Sequence, residues 1–156
     1  MYNSLLYINR NNAETKRYQE EGLKLLSGKV DSLPSKIAFR PKFIKQSSCI
    51  KVFDKLYLFI SKANIKKPVE ERFDALFHEI GHWLHFQNIP PLKECREVWK
   101  NANLEKIKED VSEYAVKKDD GREFVAEVFK GLVKGKKYDE YIMNLYKRLH
   151  GPIPHD

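Results

Sequence analysis

Apolar residues recur at steps of three and four positions through the middle of the chain, between residues 68 and 87. The positions with this spacing are Phe73, Leu76, Phe77, Ile80 and Leu84. A period near 3.6 residues is typical of a helix with one buried face. Pro68 suits the first turn of such a helix, and the acidic residues that follow it suit the positive end of the helix dipole. We therefore predict one long helix over residues 68–87, which ends before the sequence IPP.

Shorter segments before this helix are rich in β-branched and aromatic residues, which favour extended structure. They are KIAFRP at 36–41, SCIKVFD at 48–54 and KLYLFIS at 55–61. Asp54 and Lys55 lie where the last two segments meet, and they predict a tight hairpin turn. The pattern indicates a small antiparallel sheet of two or three strands.

Other helical segments lie on both sides of this region. Asn12 is a suitable N-cap and Gly28 a suitable C-terminal stop, so a first helix is predicted over 13–27. The segments after the long helix are 91–104, 108–117, 121–135 and 138–151. Together with the strands, they predict an α+β fold in which a small sheet packs on a mainly helical domain.

Length and composition favour one compact unit. A chain of 156 residues with 42% hydrophobic residues can form one core, so we expect a single domain over 1–156, with about 1–45 as its N-terminal extension. Cys49 and Cys95 are far apart and form neither a disulfide framework nor a zinc knuckle. No apolar run reaches the roughly 18 residues of a membrane span, and the N-terminal run is too short for a signal peptide. We expect a soluble, cytoplasmic protein without a membrane partner.

The net charge of +7 would suit an acidic partner. The excess consists mostly of lysines scattered from Lys16 to Lys147. Scattered lysines are weak evidence for nucleic-acid binding, so we do not expect a nucleic-acid partner.

Three of the five histidines lie on the predicted long helix, in the stretch DALFHEIGHWLHFQN. Residues i and i+4 of a helix lie on one face, so His78 and His82 can direct their imidazoles at a single ion. Glu79 projects beside them, where its carboxylate can take a proton from an attacking water. This is the HExxH pattern of zinc peptidases, and two imidazoles suit zinc. The alternative is a pair of core or surface histidines that bind no metal.

A catalytic zinc site needs a third protein ligand. His85 lies about 10 Å along the helix axis from His78, which is too far for all three rings to converge, so we expect it at the surface or in a cleft. The sequence REFVAEVF offers Glu123 and Glu127 at i and i+4 among apolar residues. One carboxylate can bind the metal while the other accepts the outer N–H of a ligating histidine. A solvated face is the alternative interpretation of such a pair.

Three stretches carry a resemblance to a known family, and they are LFHEIGHWL at 76–84, VSEYA at 111–115 and REFVAEVF at 122–129. They resemble the zinc peptidase domain of the anthrax lethal factor type, a gluzincin-like group that includes domains of phage and mobile-element proteins. The resemblance covers about residues 50–151 and is weak in the first 45. It implies a zincin-like fold that carries the HExxH helix.

The resemblance also implies roles for individual residues. Glu123 matches the third zinc ligand, Glu127 the supporting acid, and Tyr114 the tyrosine that stabilises the oxyanion. The gap between Tyr114 and Glu123 is slightly longer here, through KKDDG. A phenol near the metal can donate a hydrogen bond to the oxygen that gains charge, which supports Tyr114 independently. The alternative is a core tyrosine on a helix.

These observations predict a zinc-dependent endopeptidase that acts on a protein or peptide substrate. We expect the strand at 55–61 to offer an edge along which an extended peptide adds as a further strand. One alternative is a phage-repressor-cleaving type of regulatory metallopeptidase, in which Glu109 or Glu113 would be the third ligand. Another is a non-catalytic basic binding module on a peptidase scaffold.

Overall fold

The computed structural model describes residues 12–156, which form six α-helices, two 3₁₀ turns and a three-stranded sheet. The helices are α1 (Ala13–Leu26), α2 (Asp74–Asn88), α3 (Leu92–Lys100), α4 (Leu104–Asp110), α5 (Arg122–Val133) and α6 (Glu140–Arg148). The strands are β1 (Ala38–Arg40), β2 (Ser48–Val52) and β3 (Lys55–Ser61), and the 3₁₀ turns are Lys62–Asn64 and Tyr114–Val116. The predicted α+β class is confirmed. The start of the predicted 1–45 extension, before Asn12, lies outside the described residues.

The sheet has the order β1-β3-β2 and is mixed. Strands β2 and β3 form the predicted antiparallel hairpin, but β1 pairs with β3 in parallel, so the prediction of a purely antiparallel sheet is wrong. Strand β3 is central, so the prediction that it offers a free edge is also wrong, and the edges belong to β1 and β2. The sequence of β3 explains its position, because its continuous apolar run is buried on both faces at Leu58, Phe59 and Ile60.

The hairpin turn lies one residue earlier than predicted. Val52 pairs with Lys55, so the two turn residues are Phe53 and Asp54. Phe53 adopts a left-handed backbone with φ of 54°, which a primed two-residue turn requires. Its side chain is almost completely exposed. The strong β propensity of phenylalanine therefore concealed a turn position.

Helix α1 begins as predicted, because Asn12 and Thr15 form a reciprocal capping box. Tyr18 then connects α1 to the segment before α2. Its hydroxyl donates to the Arg72 carbonyl at 2.8 Å, and its ring centroid lies 4.8 Å from that of Phe73. These contacts hold residues before Asp74 in turns, so α2 begins about six residues later than the predicted start at 68.

The predicted helix at 108–117 is interrupted. Helix α4 ends at Asp110, and a 3₁₀ turn forms at Tyr114–Val116. Ser112 lies in the break, where its hydroxyl accepts a hydrogen bond from the backbone N–H of Ala115 at 3.2 Å. Serine competes with helical hydrogen bonding in this way, and the break turns Tyr114 toward α2.

Helix α2 lies at the centre of the fold. It packs against α5 on one side and against β2 and β3 on the other. Four apolar positions of the predicted stripe, Leu76, Phe77, Ile80 and Leu84, are buried and belong to one hydrophobic core cluster. The fifth, Phe73, is partly buried and lies at the N-cap of α2. In the described part of the chain, no helix is both long enough and apolar enough to cross a membrane.

His85 is buried, so the prediction of a surface or cleft position is wrong. Its exposed fraction is 0%, and its Nε2 donates to the Leu149 carbonyl at 2.7 Å, which joins α2 to the C-terminal segment. The pattern could not reveal this contact because the carbonyl lies 64 residues away. Burial lowers the pKa of His85 from 6.5 to about 4.

This buried imidazole predicts a loss of stability in acid. Below about pH 6.5 the unfolded chain protonates His85 while the folded protein keeps it neutral until about pH 4, so the free energy of unfolding should fall across that window. In a His85→Gln variant the amide can still donate to Leu149 but does not titrate. We expect the fall to be smaller in this variant by up to about 3 kcal/mol, as measured by urea unfolding at several pH values.

Equal pH dependence in wild type and His85→Gln would contradict the assignment of a neutral, buried His85.

Candidate metal centre

The middle of α2 and the first turn of α5 face each other and bring three potential ligands together. His78 Nε2 lies 3.0 Å from one carboxylate oxygen of Glu123, and His82 Nε2 lies 3.0 Å from the other. One ligand atom from each residue falls within 4.8 Å of the others. The structure thus gathers the predicted ligands His78, His82 and Glu123, although the glutamate follows His78 by 45 residues.

Glu127 lies behind the cluster, one helical turn after Glu123. Its Oε2 accepts a hydrogen bond from His78 Nδ1 at 2.8 Å, which is the contact expected of the supporting acid. Two further residues bind the same carboxylate, and sequence reasoning missed both. The Ser112 hydroxyl donates to Oε1 at 2.8 Å, and Lys130 Nζ lies 2.9 Å from Oε2. The i+3 spacing of Lys130 from Glu127 was a usable signal, whereas Ser112 required knowledge of the helix break.

The hydrogen bond that Nδ1 of His78 donates to Glu127 determines whether Nε2 has a lone pair available for a metal ion. With the proton on Nδ1, the Nε2 lone pair faces a Glu123 oxygen at 3.0 Å, and two acceptors at that distance repel unless a cation or proton lies between them. Two imidazole nitrogens and a carboxylate form a donor set that suits zinc. The residues present therefore fit a zinc ion.

The charges of the two glutamates agree with this fit. Burial alone would lower the pKa of His78, but the carboxylates of Glu123 and Glu127 outweigh it and raise that pKa to about 9, so a zinc ion that binds Nε2 would have to displace a proton. Burial would raise the pKa of both glutamates, but His78 and the neighbouring cations lower the pKa of Glu127 to about 2 and that of Glu123 further. Both glutamates are therefore anionic at neutral pH, as a metal ligand and its supporting acid must be.

Glu79 is buried beside the ligands, with an exposed fraction of 7%. Its Oε2 and the Nδ1 atom of His82 are buried, and neither has a hydrogen-bond partner within residues 12–156. A buried polar atom without a protein partner costs free energy unless water or a ligand satisfies it. Burial raises the pKa of Glu79, which is the direction that suits a carboxylate acting as a base near neutral pH.

Tyr114 lies at the mouth of the centre. Its ring centroid is 5.4 Å from that of His78, and Lys117 Nζ lies 5.0 Å from the same Tyr114 centroid. The side chain is 46% exposed, so the alternative of a core tyrosine is wrong. Partial burial, followed by the nearby Glu123 carboxylate, raises the pKa of Tyr114 and keeps its hydroxyl protonated as a hydrogen-bond donor.

A cavity of about 260 Å³ opens beside the cluster. Its lining comes from the start of β2, from α2 and from the segment that leads into α5: Ser47, Ser48, Cys49, Glu79, His82, Phe86, Tyr114, Lys118, Arg122 and Glu123. A larger cavity of about 480 Å³ is lined by Ser112, Glu127 and Lys130, but by none of the three clustered ligands. The smaller cavity is the candidate site, because it alone of the two is lined by His82, Glu79 and Glu123.

Gly81 explains why α2 and α5 can approach so closely. A Cβ atom at this position would lie 3.2 Å from the Ala126 Cα and 3.1 Å from the Phe129 ring. Both distances are shorter than ordinary van der Waals contact, so a larger residue would separate the helices. The glycine between His78 and His82 therefore allows Glu123 to reach these two candidate ligands.

The alternative third ligands are not brought to this position. Glu109 and Glu113 are both exposed, and neither belongs to the His78, His82 and Glu123 cluster. The geometry thus favours Glu123 over the other two glutamates that the sequence left open.

Comparisons of the chain with protein-family models, with characterised proteins and with solved structures find no significant match. The assignment of this centre therefore depends on its geometry and on the chemistry of its residues.

Metal analysis tests the ligand set directly. We expect the purified protein to bind one zinc ion per chain, and Glu123→Ala to raise the Kd by at least roughly a hundredfold, since losing only a supporting partner already costs roughly 10- to 100-fold. Glu113→Ala removes a carboxylate that is exposed, and it should leave the affinity unchanged. Equal zinc affinity of wild type and Glu123→Ala in a competition titration would contradict the assignment.

The helix contact makes a separate prediction. Gly81→Ala should displace α5 by a few tenths of an ångström and raise the zinc Kd about tenfold, because the ligands no longer converge. Alanine also has a higher helix propensity than glycine, by about 1 kcal/mol, so the variant should remain folded. Circular dichroism checks the fold while a zinc titration measures the affinity. Unchanged affinity in a folded variant would show that the close approach is not required.

Proposed function

We propose that the chain is a zinc-dependent endopeptidase with a zincin-like arrangement of its helices. The observation that carries the proposal is the convergence of His78, His82 and Glu123 beside the buried carboxylate of Glu79. The resemblance of LFHEIGHWL, VSEYA and REFVAEVF to the lethal factor type of zinc peptidase is consistent with it. The two cysteines of the chain are both free, which suits a reducing compartment such as the cytoplasm.

The residues of the centre divide the work of peptide hydrolysis. A zinc ion bound by the three ligands would supply a Lewis acid that acidifies water and polarises the scissile carbonyl. Glu79 accepts a proton from the attacking water and then donates it to the leaving nitrogen, and its buried position beside the ligands suits both transfers. Tyr114 donates a hydrogen bond to the carbonyl oxygen as that oxygen gains negative charge. Glu127 holds the ring of His78 in one orientation through Nδ1.

The substrate would lie along β2. This strand is an edge of the sheet, and Ser48 and Cys49 at its start line the cavity that contains Glu79 and Glu123. An extended peptide that pairs with such an edge gains backbone hydrogen bonds and brings one carbonyl to the centre. We therefore retain the proposal of an edge-bound peptide. The peptide would pair with β2, whereas the sequence had predicted that it would pair with β3.

The role of Glu79 gives the decisive test. Glu79→Gln removes the base without removing a ligand, so we expect cleavage of a peptide library to fall by at least about a hundredfold while zinc affinity stays close to that of wild type. Cleavage products are identified by mass spectrometry, and zinc is measured in the same samples. A chelator should abolish wild-type activity, and added zinc should restore it.

Undiminished cleavage by Glu79→Gln would overturn this mechanism. Zinc binding without any turnover, together with salt-dependent binding to DNA, would instead favour a non-catalytic basic module on a peptidase scaffold. Exposed Glu97 offers a matched control, because Glu97→Gln makes the same chemical change on α3, outside the cavity lining. This control should cleave as well as wild type.

A further inference from the structure

Two basic side chains line the same cavity as the candidate centre. Lys118 and Arg122 lie on the segment that runs from Tyr114 to the ligand Glu123, so the chain presents them between two residues of the proposed machinery. The cavity also contains the carboxylates of Glu79 and Glu123. Its formal charges balance, so the cavity does not repel an anionic group that approaches from the basic side.

Arg122 is held in position by a buried partner. Its Nε lies 2.8 Å from Asp120 Oδ2, and its backbone N–H donates to Asp120 Oδ1 at 3.1 Å. The Asp120 side chain is only 1% exposed, whereas that of Arg122 is 36% exposed. Because Asp120 uses Nε, the terminal Nη groups of the guanidinium can donate to a ligand in the cavity.

The backbone beside Arg122 is also constrained. Gly121 has φ of +78°, and a Cβ there would lie 2.8 Å from Leu149 and 3.0 Å from Trp99. Only glycine combines this backbone with this packing. The direction of Arg122 at the start of α5 is therefore fixed together with that of the ligand Glu123, which is the next residue.

Lys118, unlike Arg122, is not held in position by a partner in the part of the chain that the structure describes. It is exposed, and no ion pair or hydrogen bond engages its ammonium within the described residues 12–156. A lysine in this state can follow a ligand group, whereas Arg122 offers fixed donors with a planar geometry. Together they supply one mobile and one preorganised cation beside the place where a scissile bond would lie.

We propose that Lys118 and Arg122 form a carboxylate-binding subsite that selects substrates with an anionic group near the scissile bond. The carboxylate comes from an Asp or Glu side chain of the peptide or from its C-terminus, since both present the same two oxygens to a guanidinium. The inference rests on the proposed peptidase function and specifies its substrate class. It makes the cleavage preference a property of the loop that also carries Tyr114.

Peptide libraries show whether the bound carboxylate belongs to a side chain or to the C-terminus of the peptide. Random-sequence decapeptides, one pool with amidated and one with free C-termini, are incubated with the zinc-loaded protein, and the cleaved bonds are mapped by mass spectrometry. We then compare matched peptides that contain Glu or Gln at the selected position, each with an amidated or a free C-terminus. A side-chain subsite predicts a kcat/KM about five- to tenfold higher for Glu than for Gln, and a terminal subsite predicts the same ratio for the free over the amidated end.

Charge reversal tests whether these two residues cause the preference. Lys118→Glu should reduce or invert the Glu-to-Gln or free-to-amidated ratio, and Arg122→Gln should reduce it without inversion. Arg122→Gln also leaves Asp120 without its ionic partner, so circular dichroism must show that this variant is folded. The exposed residue Lys16 on α1 provides the matched control, and Lys16→Glu should keep the wild-type ratio.

Binding provides a readout that does not require turnover. In the Glu79→Gln background, fluorescence anisotropy of a labelled Glu peptide should give a Kd about five- to tenfold lower than that of its Gln counterpart, and Lys118→Glu should remove the difference. Cleavage with no preference for either carboxylate would overturn the subsite while leaving the peptidase function intact. Absence of cleavage by zinc-loaded wild type would count against the proposed function, and the subsite would fall with it.

Discussion

The close contact between α2 and α5 is the constraint on which the rest of the centre depends. Gly81 removes the side chain that would hold the helices apart, and its neighbours Ala126 and Phe129 fill the contact from the other side. Because both helices are packed into one core, their separation is fixed by van der Waals contact and cannot be adjusted by the polar residues. The positions of the two histidines and of Glu123 follow from that distance.

The polar residues are arranged around this contact as one connected network. Glu127 binds three groups from three places in the chain, namely the His78 ring, the Ser112 hydroxyl and the Lys130 ammonium. Such a network lowers the cost of a buried carboxylate, because each oxygen has a donor. Ser112 also ends the regular helical structure before Tyr114, so one residue contributes both to the orientation of a histidine and to the path of the loop.

Sequence patterns predicted the features that depend on residues close together along the chain. The helical spacing identified the stripe on α2, and the i, i+4 pairs identified the histidines and glutamates that the structure brings together. The patterns failed for features that depend on contacts between residues far apart in the sequence. Strand β1 is parallel to β3 because the chain crosses over, the contact of Tyr18 with Arg72 delays α2, and His85 is buried by a carbonyl 64 residues away. None of these partners can be inferred from spacing, because propensity describes only neighbours along the chain.

The distance of 45 residues between His78 and Glu123 has a consequence for the folding of the chain. A ribosome must complete α5 before the third candidate ligand exists, and the loop between the helices must close before the candidate ligands meet. The unfolded chain keeps only the local histidine pair, which binds a metal ion weakly compared with the complete set. Zinc would therefore bind the folded state preferentially and stabilise it by mass action. Under that linkage, the supply of metal would influence how long the protein survives as well as whether it is active.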